Sequence, residues 1–141
     1  MELDTDEAER LLAAAHHGVL CTAHLHRGVD PVPCVYAVDG DLVGIPIDTV
    51  KDKSTTRLQR KMNLETDPRA ALLVGHQDPG DRSRLFWVRA ELLHQPDPAP
   101  EVVAILARTL AEKIVQYRRR PFAGMIVLQV TATTGWSTDA L

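Results

Sequence analysis

Aromatic residues make up only 4% of this 141-residue chain, and it has only two cysteines, Cys21 and Cys34. So few cysteines give no disulfide framework, and a chain of this length needs none, because folding hides roughly two-thirds of the unfolded chain's surface. Apolar runs are short. None approaches the roughly 18 residues of a membrane-spanning helix, so no membrane partner is expected. An excess of basic charge is missing too: the net charge is −3, with acids and bases interspersed, which argues against a general nucleic-acid binder but allows a local basic pocket. The opening stretch MELDTDEAER is acidic and helical in pattern, unlike a signal peptide, and the protein is expected in the cytoplasm. There is no G-x-G-x-x-G, no G-x-x-x-x-G-K-[ST], and no G-x-S-x-G around Ser54, Ser83 or Ser137. A Rossmann site, a P-loop and a serine-hydrolase elbow are thereby set aside.

The hydrophobic content of 45% suits a single domain spanning residues 1–141. Asp4, with Glu7 three residues on, reads as the start of an amphipathic helix with Ala8, Leu11, Leu12 and Ala15 on its apolar stripe, ended by Gly18. Strand-like runs follow at VLCTAHL, PVPCVYAV and LVGIPI, the last two separated by the hairpin signal Asp39-Gly40. These three read as an antiparallel meander. A short helix with Leu58 and Met62 one turn apart precedes RAALLVGH, which is apolar on both faces. In RLFWVRAELLHQ, alternation puts Phe86, Val88, Ala90 and Leu92 on a core face and Leu85, Trp87, Arg89 and Glu91 on the other. A helix from Ala99 to Gln116, a last strand MIVLQVTA and a tail holding Trp136 complete the chain. The expectation is a mainly β fold: a six-stranded antiparallel β-barrel, closed or nearly closed, with flanking helices.

The stretch KDKSTTRLQR, residues 51–60, carries the most chemistry. Two lysines and an arginine surround a Ser-Thr-Thr turn that feeds a helix. Unpaired N–H groups and the helix dipole at such a terminus suit a phosphate, which Arg can grip through two oxygens and Lys as a point charge. A solvated, well-capped helix start would look the same. His24 and His26 fall on one face of a strand but lack an acidic or cysteine partner at ligand spacing, so no metal is expected. Cys21 and Cys34, able to face each other across a hairpin turning at Arg27 and Gly28, read as small buried hydrophobes.

The segments VPCVYAVDGDLV, KDKSTTRLQRKMN, VGHQDPGDRSRLFWVRA, QYRRRPFAG and TGWS occur in this order over nearly the whole chain. Together they resemble the split β-barrel flavin and deazaflavin oxidoreductases related to pyridoxamine 5'-phosphate oxidase, nearest to the branch described as probable coenzyme F420-dependent proteins. The sequence departs from that pattern at Arg82 and Val115. The resemblance implies a homodimer with two cofactors in grooves between protomers. Ile47 and Asp48 would run beside the tricyclic ring, and Lys51, Lys53, Thr55, Thr56 and Arg57 would hold its phosphate. Trp87 and Arg89 would point to the partner or the groove, and Trp136 would close the groove or anchor a tail.

The implied cofactor is coenzyme F420, with FMN as the alternative, and the implied reaction is hydride transfer to a small unsaturated or carbonyl substrate. The cofactor supplies that chemistry, and no catalytic residue is assigned. Tyr36 is a conceivable proton donor but reads more readily as packing. Arg118 to Arg120 either meet an acidic cofactor tail or form a solvated helix end. Two other readings are an FMN-dependent pyridoxamine 5'-phosphate oxidase-like enzyme and a non-catalytic carrier of flavin, deazaflavin or a tetrapyrrole, for which His76 would be the axial ligand.

Overall fold

The computed structural model describes residues 1–47, 55–118 and 124–138, with the side chains of residues 55–58 and of Arg82 outside that description. Its elements are α1 (Thr5–Ala14), β1 (His17–His24), β2 (Gly28–Val35), β3 (Ala37–Asp39), β4 (Leu42–Ile47), α2 (Thr55–Thr66), β5 (Arg69–Asp78), β6 (Asp81–Gln95), α3 (Pro100–Lys113) and β7 (Gly124–Ser137), with a 3-10 turn at Val115–Arg118. Among the described residues no helix is long and apolar enough to cross a membrane.

The seven strands form one antiparallel sheet in the order β2-β1-β5-β6-β7-β4-β3. The expected six strands become seven because PVPCVYAV is not one strand. It breaks at Tyr36 into β2, which pairs with β1, and β3, which pairs with β4. The expected meander is therefore two separate hairpins. Since β2 and β3 are the two edges of the sheet yet only Tyr36 separates them, the sheet must curl until its edges approach at that residue. It is rolled like a barrel without a hydrogen-bonded seam. As an edge strand, β2 tolerates Pro31 and Pro33, which lack the N–H a central strand needs.

Local chemistry accounts for most element ends. The Asp4 carboxylate accepts the Glu7 N–H at 2.8 Å, capping α1, while the Glu7 side chain turns to Arg10 instead of closing a capping box. The helix stops at Ala14, before the expected Gly18, which lies in β1. A Cβ at Gly18 would come within 2.8 Å of the Leu73 carbonyl and of Val74, so close strand approach explains that glycine. The Asp39-Gly40 hairpin forms as expected, with Gly40 at φ +59°. Trp136 lies in β7 rather than in a tail, because Thr-Thr-Gly continues the ladder to β6 instead of turning.

The interior face gathers Leu20, Leu72, Val88, Ala90 and Leu128, with Ala8 and Leu12 of α1 closing over them. The alternation of β6 holds: Val88, Ala90 and Leu92 are buried, and Arg89 and Glu91 are exposed. β5 does not bury both faces as expected. Leu72 and Val74 are inside, but Leu73 is 45% exposed, because among the described residues nothing covers the sheet's outer face there. On α3, Leu106 and Leu110 are buried and Val102 and Val103 are half-buried.

Tyr36 is fully buried at the junction of the sheet edges, so it is packing rather than an accessible proton donor. Its hydroxyl donates to the Leu12 carbonyl at 2.5 Å, and burial raises its pKa. The Lys113 ammonium lies 4.2 Å from the Tyr36 ring centroid and donates to the Tyr36 carbonyl at 3.2 Å. Burial pushes the Lys113 pKa down to about 8, while the ring and the carbonyl favour the charged form. Between pH 8 and 10.5 the unfolded chain therefore holds this proton more tightly than the folded one, and stability should rise with pH across that window. Because Lys113 is partly exposed, screening limits the rise to about 1 kcal/mol. Urea denaturation as a function of pH should show it in the wild type and not in Lys113→Met.

Candidate functional site

β4 runs to Ile47, which is half-buried and paired with Gly124 at the start of β7. Asp48, Lys51 and Lys53 lie outside the described residues. Thr55, Thr56 and Arg57 occupy the first turn of α2, with side chains that also lie outside the description. The basic stretch does lead into a helix N-terminus, and that first turn contains no acidic residue. An anion there would meet the positive end of the helix dipole without competition from a carboxylate in that turn.

Of the expected Leu58/Met62 pair, Met62 is 53% exposed and the Leu58 side chain lies outside the described residues; among the described side chains of α2 the buried ones are Arg60, Asn63 and Leu64. The Asn63 amide donates to Thr22 Oγ1 at 3.0 Å and to Asp30 Oδ2 at 2.9 Å, and Gln59 donates to Asn63 Oδ1 at 2.8 Å. Asp30 also takes both arms of Arg27. These bonds, Asn63 first and Arg27 after it, hold the Asp30 carboxyl below its usual pKa. Polar groups thus fix α2 to the β1-β2 hairpin and set where its N-terminus points. A search for apolar periodicity misses this. The only trace in the sequence is the Gln59/Asn63 spacing of one helical turn.

A second cluster sits on the outer face of the sheet. Trp87 of β6 and Trp136 of β7 are direct cross-strand partners, and Gly75 of β5 is the partner of Trp87 on its other side. Both tryptophans are half-buried, and the Arg89 guanidinium lies 5.5 Å from the Trp87 ring centroid. Two residues singled out separately in the sequence are therefore brought together. They are not brought to Ile47. Along β7, Gly124 and Trp136 stand twelve residues apart, roughly 40 Å of extended strand. Ile47 and the tryptophan pair thus lie at opposite ends of one long strand.

The other candidates separate as clearly. Cys21 pairs with Pro31 and Cys34 with Gly18, so the two cysteines alternate onto opposite faces and both are free. Burial pushes the Cys34 thiol up to about 11, partly offset by Arg60. His24 ends β1 and accepts the N–H groups of His26 and Arg27, a turn-capping role. Among the described residues no group of three or more His, Cys, Asp or Glu could hold a metal. The Arg118 guanidinium donates to the Ala111 and Glu112 carbonyls, capping α3, while Arg119 and Arg120 lie outside the described residues. His76 stacks on Phe86 with centroids 6.3 Å apart. With Phe86, His16, His17 and Leu11 it lines a cavity of about 370 Å³ at the end of α1.

No family model matches the sequence, and no curated protein matches it. Solved structures do match. A FAD-binding protein from Mesorhizobium loti aligns at 15% identity over 96% of this chain and 93% of its own, with a TM-score of 0.71. A heme-binding protein from Mycobacterium smegmatis aligns at 14% identity over 97% of this chain and 55% of its own, with a TM-score of 0.72. An F420 reductase aligns at 22% identity over 89% of this chain and 94% of its own, with a TM-score of 0.59. At these identities the likeness is one of architecture: this chain has the fold of the split-barrel proteins, among them FAD-binding, F420 reductase and pyridoxamine 5'-phosphate oxidase-like members.

Proposed function

We propose that this protein is an oxidoreductase of the flavin or deazaflavin type, that its cofactor is coenzyme F420, and that two copies share each cofactor site. The observation that carries the proposal is the basic stretch 51–57 entering α2 just beyond the end of β4, on a fold whose solved examples include flavin and F420 proteins. When bound, the cofactor supplies the hydride chemistry, and the chain's part is to bind, orient and shield. Lys51, Lys53 and Arg57, with Thr55 and Thr56, hold the phosphate at the helix start. Ile47 and Asp48 flank the ring. In this reading Trp87 and Trp136, which stand far along the sheet from Ile47, cover the ring bound by the partner and exclude water from it. The open outer face, with Leu73 and Val29 exposed, supports association of two copies there. The substrate is a small unsaturated or carbonyl compound.

The choice of F420 over FMN rests on the sequence resemblance. Both share the ribityl phosphate, and Arg118 is already committed to the end of α3. In this reading residues 1–141 are one domain working in the cytoplasm, where Cys21 and Cys34 remain unpaired thiols. The deciding experiment is a parallel calorimetric titration with F420 and with FMN, accompanied by sedimentation at micromolar concentration. Tight F420 binding by a dimer is expected. Preference for FMN would move the protein to an FMN-dependent, pyridoxamine 5'-phosphate oxidase-like reading, and a monomer would remove the shared site. A second reading, a tetrapyrrole carrier, is favoured by one observation: His76 opens into the cavity lined by His16, His17 and Phe86. A Soret band that His76→Ala abolishes would support it.

A further inference from the structure

The outer face of the sheet carries two charges near its middle. Arg89 and Glu91 are successive outward residues of β6, both exposed and roughly 7 Å apart along the strand. Their cross-strand neighbours are uncharged: Leu73 and Thr134 flank Arg89, and Ala71 and Ala132 flank Glu91. One strand further out, Val19 and Cys21 of β1 stand beside Leu73 and Ala71 and continue the apolar surface. The Arg89 guanidinium lies over the Trp87 ring. Among the described residues the ion pairs are those of Arg10, Arg27, Arg69 and Arg84, and neither Arg89 nor Glu91 belongs to one.

Two opposite charges side by side on an apolar face decide how identical faces fit. Two copies meeting through the same patch are related by a two-fold axis lying between them, so that residue i meets j and j meets i. An axis parallel to β6 would set Arg89 on Arg89 and Glu91 on Glu91, and like charges juxtaposed in an interface are costly. An axis crossing β6 at the level of Ala90 sets Arg89 on Glu91 twice. We propose, resting on the two-copy reading above, that the dimer forms about this second axis, with the two β6 strands antiparallel and a reciprocal Arg89–Glu91 ion pair on either side of Ala90. The same axis serves the cofactor groove, because it exchanges the two ends of the sheet. Trp87 of one copy then meets Leu93 of the other, and Leu93 pairs with Gln129 of β7. Gln129 stands five residues from Gly124, the partner of Ile47, roughly 17 Å of strand in place of the roughly 40 Å between Gly124 and Trp136 in one chain. The parallel axis would leave both copies' tryptophans at the end away from Ile47. Charge pattern and site geometry select the same axis independently.

The test is sedimentation of the full chain over a concentration series at low salt, which gives the Kd of the dimer. Arg89→Glu and Glu91→Arg, each alone, place like charges against each other at both pairs and should raise that Kd about 10-fold or more. An equimolar mixture of the two variants should form a heterodimer of near wild-type affinity, because each copy then carries the charge that the other lacks. The chain bearing both substitutions should dimerise like the wild type for the same reason. Misfolding of a single variant would not be rescued by mixing. Single variants that dimerise as tightly as the wild type, or a mixture no tighter than its components, would overturn this axis and leave the two-copy reading in place. A wild-type monomer at micromolar concentration would remove both.

Discussion

Tyr36→Ala is expected to cost about 4 kcal/mol of folding stability, near the upper end for truncating a buried aromatic residue. The residue is fully buried, its hydroxyl ties the seam to α1 through Leu12, and its ring and carbonyl hold Lys113 of α3. Truncation would open a cavity at the one point where the two edges of the sheet are joined through a single residue. Tyr36→Phe keeps the ring and loses only the bond to Leu12, leaving that carbonyl to other partners, so a smaller cost of about 1–2 kcal/mol follows. Urea denaturation of both variants reads the contrast. If alanine costs no more than phenylalanine, the ring is not what holds the edges together.

The second large effect is on binding. Replacing Lys53 and Arg57 together by alanine should weaken F420 or FMN binding by about 2–4 kcal/mol, the combined worth of two charge-assisted phosphate contacts. Both side chains lie outside the described residues, so thermal unfolding of the double variant without cofactor is run alongside to separate a loss of binding from a loss of stability. The loss should also shrink as salt rises, because solvent-exposed charges are screened. Unchanged affinity in the double variant would remove the phosphate site from residues 51–57 while leaving the fold assignment intact.

What could be read from the sequence follows from how far each residue's neighbours decide its state. Asp39-Gly40 fixes a hairpin locally, and the alternation in β6 reports a face that the core then occupies. The break at Tyr36 could not be read, because Val-Tyr-Ala-Val is good strand sequence throughout. What stops the ladder is the transfer of the chain from one sheet edge to the other, a long-range event. Trp136 was misplaced for the opposite reason: Thr-Thr-Gly looks like a turn, yet β6 is long enough to keep it in register. The α2 anchor stayed hidden because the burial around Leu64 is largely polar, through Arg60 and Asn63, and hydrophobic periodicity does not register it. For the candidate site, the basic stretch and the two tryptophans were legible as residue types. The direct pairing of Trp87 with Trp136, far along β7 from Ile47, was not, since it depends on the register of distant strands.

Pro31 and Pro33, placed on the free rim of β2, have a consequence for how copies of this protein can meet. A sheet that extends itself molecule by molecule needs a rim with a donor at every turn of the ladder, and this rim has none at those two positions. Ribbon-like growth is blocked on that side, while the exposed surface around Leu73 remains free to meet its twin face to face. A face-to-face meeting of identical surfaces closes on itself after two molecules. The chain thus leaves open a form of association that ends at a pair and obstructs, at β2, the form that has no natural end.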